Sequence, residues 1–179
     1  MYNYLVKRFN LKGKDTMGLF KNILGNGKKK NNPVYLAVAT GKLMPIEASE
    51  DPVFAQKMMG DGYVIMPTEN TIVAPVSGVV KTLFPTLHAI GIEADNGDEV
   101  IIHIGLDTVQ LQGEGFTAFV KQGDRIDAGQ KLLEVDFAAI RDKVPSIGTP
   151  VVITNIGDRK VKLADTEQVQ AKDVAMTIE

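Results

Sequence analysis

The chain holds two histidines, His88 and His103, and no cysteine. His88 stands in the run Phe84-Pro85-Thr86-Leu87-His88-Ala89-Ile90-Gly91-Ile92-Glu93. His103 stands in Val100-Ile101-Ile102-His103-Ile104-Gly105-Leu106-Asp107-Thr108-Val109. Both runs have the texture of a strand end beside small or polar residues. A neutral imidazole can take up and release a phosphoryl group near neutral pH without a metal, because one ring nitrogen is then unprotonated. A lone histidine among apolar residues is more often a hydrogen-bonded structural group than a catalyst. Two that meet across a sheet make a stronger case. Asp95-Asn96-Gly97-Asp98 separates the two runs and reads as a hairpin turn, since Asn-Gly tolerates positive φ. Pairing about that turn sets residue 88 opposite roughly residue 105 and brings His88 and His103 near one another. Their spacing is not that of a helical metal motif such as His-Glu-x-x-His.

The elements that must position these histidines read as β. From Val34 onward, short runs rich in Val, Ile and Leu alternate with turn residues every eight to twelve positions. Strands are expected at 34–39, 42–46, 63–66, 71–74, 78–84, 89–94, 99–104, 116–120, 131–135, 150–154, 160–163 and 174–178. Only 137–143 looks like a helical turn or two. This pattern predicts an all-β fold, an antiparallel β-sandwich with one or two short helical segments. Ala39-Thr40-Gly41-Lys42-Leu43 weakly echoes Val76-Ser77-Gly78-Val79-Val80, each with a glycine between an extended entry and an apolar strand. The stretch from Gly123 to Leu133 has the loop-and-hairpin texture of hybrid barrels, which biotin and lipoate carriers share.

Composition sets the limits. The chain has 179 residues, 44% hydrophobic and 23% charged, enough for one domain with a full core. It has no apolar run of about eighteen residues that would span a membrane. The start lacks the apolar stretch and cleavage site of a signal peptide. Without cysteine there are no disulfides, thiolate metal sites or cysteine nucleophiles. A cytoplasmic place is the expectation. Residues 1–33 carry eight Lys or Arg against one acid, and residues 34–179 carry twelve against twenty-one. So acidic a body argues against nucleic-acid binding. The basic arm, 1–33, is read as mobile and able to touch an anionic membrane surface weakly; a merely soluble tail is the bland alternative. Within it, Met17-Gly18-Leu19-Phe20 reads as a second beginning, 17–25 as a short amphipathic helix, and 1–16 as an extension from an upstream start. The domain proper is expected over 34–179.

Several motifs together carry a resemblance. Asp51-Pro52-Val53-Phe54-Ala55, Gly60-Asp61-Gly62, Pro75-Val76-Ser77-Gly78, Thr86-Leu87-His88-Ala89, Ile92-Glu93, His103-Ile104-Gly105-Leu106-Asp107-Thr108-Val109, Gly113-Glu114-Gly115-Phe116 and Thr149-Pro150-Val151-Val152 are similar to the glucose-type enzyme IIA of the bacterial phosphoenolpyruvate-dependent sugar phosphotransferase system. The likeness runs from about residue 34 to the C-terminus, and the block from His103 to Gly115 is its most specific part. It implies a duplicated hybrid-motif sandwich that relays phosphate from the phosphocarrier HPr to a IIB domain for sugar uptake. His103 resembles the histidine phosphorylated on Nε2, and His88 the partner that helps the group move on. Thr86 resembles the threonine bonded within the site, and Asp107 the acid flanking the phosphorylated histidine. Phe54, Phe84 and Ile101 fall where the family shows an apolar ring. The last position is often aromatic in relatives, and Ile101 departs from that. Some relatives also bind transporters and enzymes according to their phosphorylation state.

The physical logic agrees. An apolar surround disfavours imidazolium, which keeps a nitrogen available as acceptor. The other ring nitrogen needs a partner to fix the tautomer, and the Gly105 carbonyl is a candidate. An apolar rim excludes water from a labile P–N bond. No cofactor is required on this reading, though two imidazoles can take up zinc adventitiously or at a partner interface. Two rivals stand beside it. A biotin or lipoate carrier would use a lysine at a hairpin tip, for which Lys57-Met58-Met59 is the nearest match. A zinc hydrolase would need three protein ligands, which His88, His103 and Asp107 offer on paper.

Overall fold

A computed structural model describes residues 32–179. The expected arm, with its amphipathic helix at 17–25 and the extension at 1–16, lies outside the described residues except for positions 32 and 33. Fourteen strands follow: β1 (Val34–Leu36), β2 (Gly41–Pro45), β3 (Asp61–Pro67), β4 (Thr71–Val73), β5 (Gly78–Leu83), β6 (Ala89–Ala94), β7 (Glu99–His103), β8 (Phe116–Ala118), β9 (Arg125–Ile126), β10 (Lys131–Val135), β11 (Thr149–Ile153), β12 (Val161–Leu163), β13 (Gln168–Val169) and β14 (Val174–Ile178). Eight form one sheet in the order β13-β2-β3-β11-β7-β6-β5-β9, and two three-stranded sheets run β1-β14-β12 and β4-β10-β8. All pairings between strands are antiparallel. The main core draws on all three sheets, with Tyr35, Ile65, Ile72, Ile90, Ile102, Leu133, Val151 and Met176 fully buried in it. The antiparallel sandwich expected from the pattern is the fold observed.

The weak echo between residues 39–43 and 76–80 is a structural repeat. Gly41 opens β2 and Gly78 opens β5, and each strand pairs with its successor and with a two-residue edge strand, β13 or β9. Ala171 N–H donates to Thr40 Oγ1, and Ala128 N–H donates to Ser77 Oγ. Lys172 N–H bonds the Ala37 carbonyl as Gly129 N–H bonds that of Ala74. Each copy of the motif thus ends on its own short strand, and the two form the opposite edges of the large sheet. The strands β9 and β13 were not expected, because two residues are too few to show an alternation.

Two short α-helices are present, α1 (Pro52–Ala55) and α2 (Phe137–Ile140), with 3₁₀ turns at Ile46–Ala48 and Thr108–Leu111. Of these, only α2 was expected, and it is shorter than 137–143. The decisive hairpin joins β6 to β7. Gly97 N–H bonds the Ala94 carbonyl at 2.9 Å, and Ala94 N–H bonds that of Asp98 at 2.8 Å. The loop therefore has three residues and ends on the left-handed Gly97, φ 86°. Residue 88 consequently faces 104, not 105: Ile104 N–H donates to the His88 carbonyl at 2.8 Å, and Ala89 pairs with His103. Alternation along β7 sends Ile102 into the main core and leaves Ile101 and His103 on the outer face of the large sheet.

Candidate functional site

Ile46, Phe54, Val64 and Val152 form a second, smaller buried cluster on that outer face, with Met44 and Ile101 packed against it. The 3₁₀ turn and α1 supply its cover. Helix α1 starts where Asp51 Oδ1 accepts the Val53 N–H at 2.8 Å and Pro52 takes the first helical position. This cap delivers Phe54, 5% exposed, onto the edge of His103, with ring centroids 5.4 Å apart.

Four rings stand in a row. Phe54 leads to His103; His103 meets His88 at 5.3 Å, nearly perpendicular at 76°; and His88 meets Phe84 at 5.0 Å. By alternation from Ile90, His88 would turn into the core. Leu87 just before it is left-handed, φ 58°, which breaks the strand geometry, and the His88 ring lies instead beside His103. His88 Nδ1 is 2.6 Å from the Thr86 hydroxyl, and His103 Nδ1 is 2.8 Å from the Gly105 carbonyl. A carbonyl only accepts, so neutral His103 carries its proton on Nδ1 and its lone pair on Nε2. Neither Nε2 is hydrogen-bonded to another described residue.

Burial lowers the pKa of both histidines from the ordinary 6.5, and for His88 the neighbouring His103 lowers it further. At His103 the Gly105 carbonyl, Asp51 and Asp107 oppose the effect of burial without cancelling it. Asp107 is exposed and left-handed, φ 60°, in the loop after β7. Asp51 lies on the other side of the chain's sequence and acts on His103 more strongly than Asp107. Its part in the site was missed. The sign of it was Asp-Pro ahead of an apolar turn, a helix start whose cap is a half-buried carboxylate.

The structure thus brings His103, His88, Thr86, Phe54 and Phe84 into direct contact, keeps Ile101 beside them on the same face, and sets Asp107 at electrostatic range. Lys57 does not lie at a hairpin tip. It follows α1 and bridges Glu47 at 2.7 Å and Asp61 at 2.9 Å, which removes the basis of the carrier reading. Among the described residues, no three His, Asp or Glu converge as a metal site. No helix of the described residues is long and apolar enough to cross a membrane.

Comparison with known proteins agrees with this geometry. The sequence profile of the family described as phosphoenolpyruvate-dependent sugar phosphotransferase system, EIIA 1, matches residues 34–158. A glucose-specific EIIA component of Halalkalibacterium halodurans is 44% identical over 169 residues, covering 89% of this chain and 98% of the relative. One from Bacillus cereus is 50% identical over 137 residues, 76% of this chain and 83% of the relative. A glucose-specific EIICBA component of Staphylococcus saprophyticus is 47% identical over 142 residues, 79% of this chain but only 21% of that longer protein. Among solved structures, glucose permease IIA from Mycoplasma capricolum superposes with a TM-score of 0.78 at 42% identity, over 83% of this chain and 96% of that one. On fold, sequence profile and near relatives alike, the chain belongs to the EIIA 1 family of the phosphoenolpyruvate-dependent sugar phosphotransferase system.

Proposed function

We propose that this chain accepts a phosphoryl group from phospho-HPr on Nε2 of His103 and passes it, with His88 assisting, to a cysteine on the IIB domain of a membrane sugar permease. The observation that carries the reading is the pair of edge-on imidazoles 5.3 Å apart, each with Nδ1 engaged locally at 2.6 or 2.8 Å. That arrangement commits Nδ1 to holding the ring and leaves Nε2 for chemistry. The lone pair of His103 Nε2 forms the new P–N bond as the donor's P–N bond breaks, and the electron pair returns to the donor imidazole. Such a transfer is mostly positioning and electrostatics, so it uses no cofactor.

Phe84, 42% exposed, and the half-buried Ile101 form the apolar part of the docking face, and Phe54 supports it from the buried cluster beneath. Beside His103, a hollow of about 170 Å³ lined by Met44, Val64, Met66 and Asp51 extends that face. An apolar rim suits two successive protein partners and excludes water from the phosphohistidine. The relatives named for glucose make glucose the first sugar to test, although the sugar itself is met by the membrane unit.

The test is incubation with phosphoenolpyruvate, enzyme I and HPr, followed by mapping of an acid-labile phosphoryl adduct. His103 is the expected site. His103→Ala should abolish labelling. His88→Gln should label and then pass phosphate to IIB about a hundredfold more slowly, the scale of losing one positioned proton donor. Equal loss of labelling in both variants contradicts the assigned roles.

A further inference from the structure

The proton on His103 Nδ1 is held by one carbonyl, that of Gly105, and the structure shows what aims that carbonyl. Every peptide bond in the described chain is trans. In a trans unit the carbonyl of one residue and the N–H of the next point opposite ways. The Leu106 N–H donates to the Ser146 carbonyl at 2.8 Å, which turns the Gly105 carbonyl of the same unit toward His103. That peptide is a clamp with one side on the β11 approach and the other on the imidazole.

The clamp itself rests on Thr108, which has no solvent exposure. Its hydroxyl donates to the Ile104 carbonyl at 2.5 Å, fixing the peptide just before Gly105. Its methyl fills the space beside Gly105, where an added β-carbon would meet it at 2.6 Å. Left-handed conformations at Gly105 (φ 70°) and Asp107 (φ 60°) fold the loop back far enough for one side chain to reach both places. We propose that Thr108 is a positioning residue, which holds the Gly105–Leu106 peptide so that His103 keeps its proton on Nδ1 and presents a free Nε2. The inference rests on the relay reading for its purpose, but its structural content does not need it.

The two functional parts of Thr108 can be removed separately. Thr108→Val keeps the methyl and loses the hydroxyl, and Thr108→Ser does the reverse. Histidine-selective ¹⁵N spectra of the full chain report the tautomer of His103 with no phosphoryl donor present. Wild type and Thr108→Ser should show the Nδ1–H form, and Thr108→Val a mixture with the Nε2–H form. In the phosphotransfer assay, Thr108→Val should lower the maximal rate of phosphate uptake about tenfold, as loss of an orienting partner does. The half-saturating concentration of phospho-HPr should stay unchanged, because the docking face is untouched. Should Thr108→Val not fold, Thr108→Ala against Thr108→Ser is read in the same way. A wild-type chain already in the Nε2–H form overturns the proposal, as does a folded hydroxyl-free variant with an unaltered tautomer. A chain that keeps the predicted tautomers but takes no phosphate overturns the relay reading instead.

Discussion

At His103 burial and charge pull in opposite directions. The ring sits under Phe54, which disfavours imidazolium, while Asp51, Asp107 and the Gly105 carbonyl favour it. Burial prevails, and its sign can be measured. With both histidines below 6.5 in the folded chain, an acidifying solution protonates the unfolded state first. Folding stability is therefore full above pH 6.5 and is lost as the pH falls from there to the folded values. In NMR titration both midpoints should lie below 6.5, and phosphate uptake should begin to fall at a lower pH than the titration of a free imidazole. In urea unfolding, His88→Gln/His103→Gln should lose less stability than wild type between pH 7.5 and 5.5; a steeper loss would mean that the imidazoles are charged in the native state. The pair of histidines was legible because each stands alone in an apolar run on either side of a marked turn. Asp51 was not legible as a member of the site. Its effect on His103 depends on β3, β11 and β7 lying side by side, a pairing of distant segments that local pattern does not contain.

Among the elements, the repeat makes a prediction of its own. A β-carbon on Gly78 would stand 2.2 Å from the Glu93 carbonyl oxygen, and one on Gly41 would stand 2.1 Å from that of Met66. Both obstacles are backbone of the paired strand, so the strands themselves must part. Gly41→Ala and Gly78→Ala should each cost about 3 kcal/mol, the upper range for overpacking. Gly97→Ala meets nothing within 4 Å and carries only the strain of φ 86°, about 1 kcal/mol. Urea midpoints of the three variants check the order; a Gly97→Ala as damaging as Gly78→Ala would show that backbone angle, not close approach, limits these turns. The strands β6, β10 and β14 could be read to the residue, since alternating or continuous apolar runs end there in clear turn signals. Helix α1 could not, because four residues show no helical period and its start is written in the Asp51 cap instead. The hairpin register slipped by one for a related reason. Asn96-Gly97 allows two loop lengths, and the further bonds of Asp98 and Asn96 to Tyr35 select the longer.

For the molecule as a whole, charge decides how partners arrive. Residues 34–179 carry twenty-one acids against twelve Lys or Arg, and Asp51 and Asp107 lie within electrostatic reach of His103. A donor that presents basic residues around its own histidine is drawn to such a face, and exposed charges of this kind act chiefly on encounter rather than on the bound state. Salt screens them, with a Debye length of about 8 Å at physiological ionic strength. Phosphate uptake at low donor concentration should therefore fall as salt rises from 50 to 500 mM, while the saturated rate stays level. The carboxylates at the site can be neutralised without breaking it. Asparagine caps a helix as well as aspartate, so Asp51→Asn preserves α1. It also accepts the left-handed conformation that Asp107 holds. Removing either charge lowers the pKa of His103 further, so the ring stays neutral at pH 7.5 and remains competent. The double variant Asp51→Asn/Asp107→Asn should then reduce kcat/KM for phospho-HPr about tenfold, leave kcat in place and flatten the salt dependence. Asp158→Asn removes one charge, half the change of the double variant, beside Arg159, whose ion pair with Asp98 ties down the β6–β7 hairpin at the end away from the histidines, and should do none of these things. If Asp158→Asn slows uptake as much as the double variant, net charge alone draws the donor, and Asp51 and Asp107 have no special place in docking.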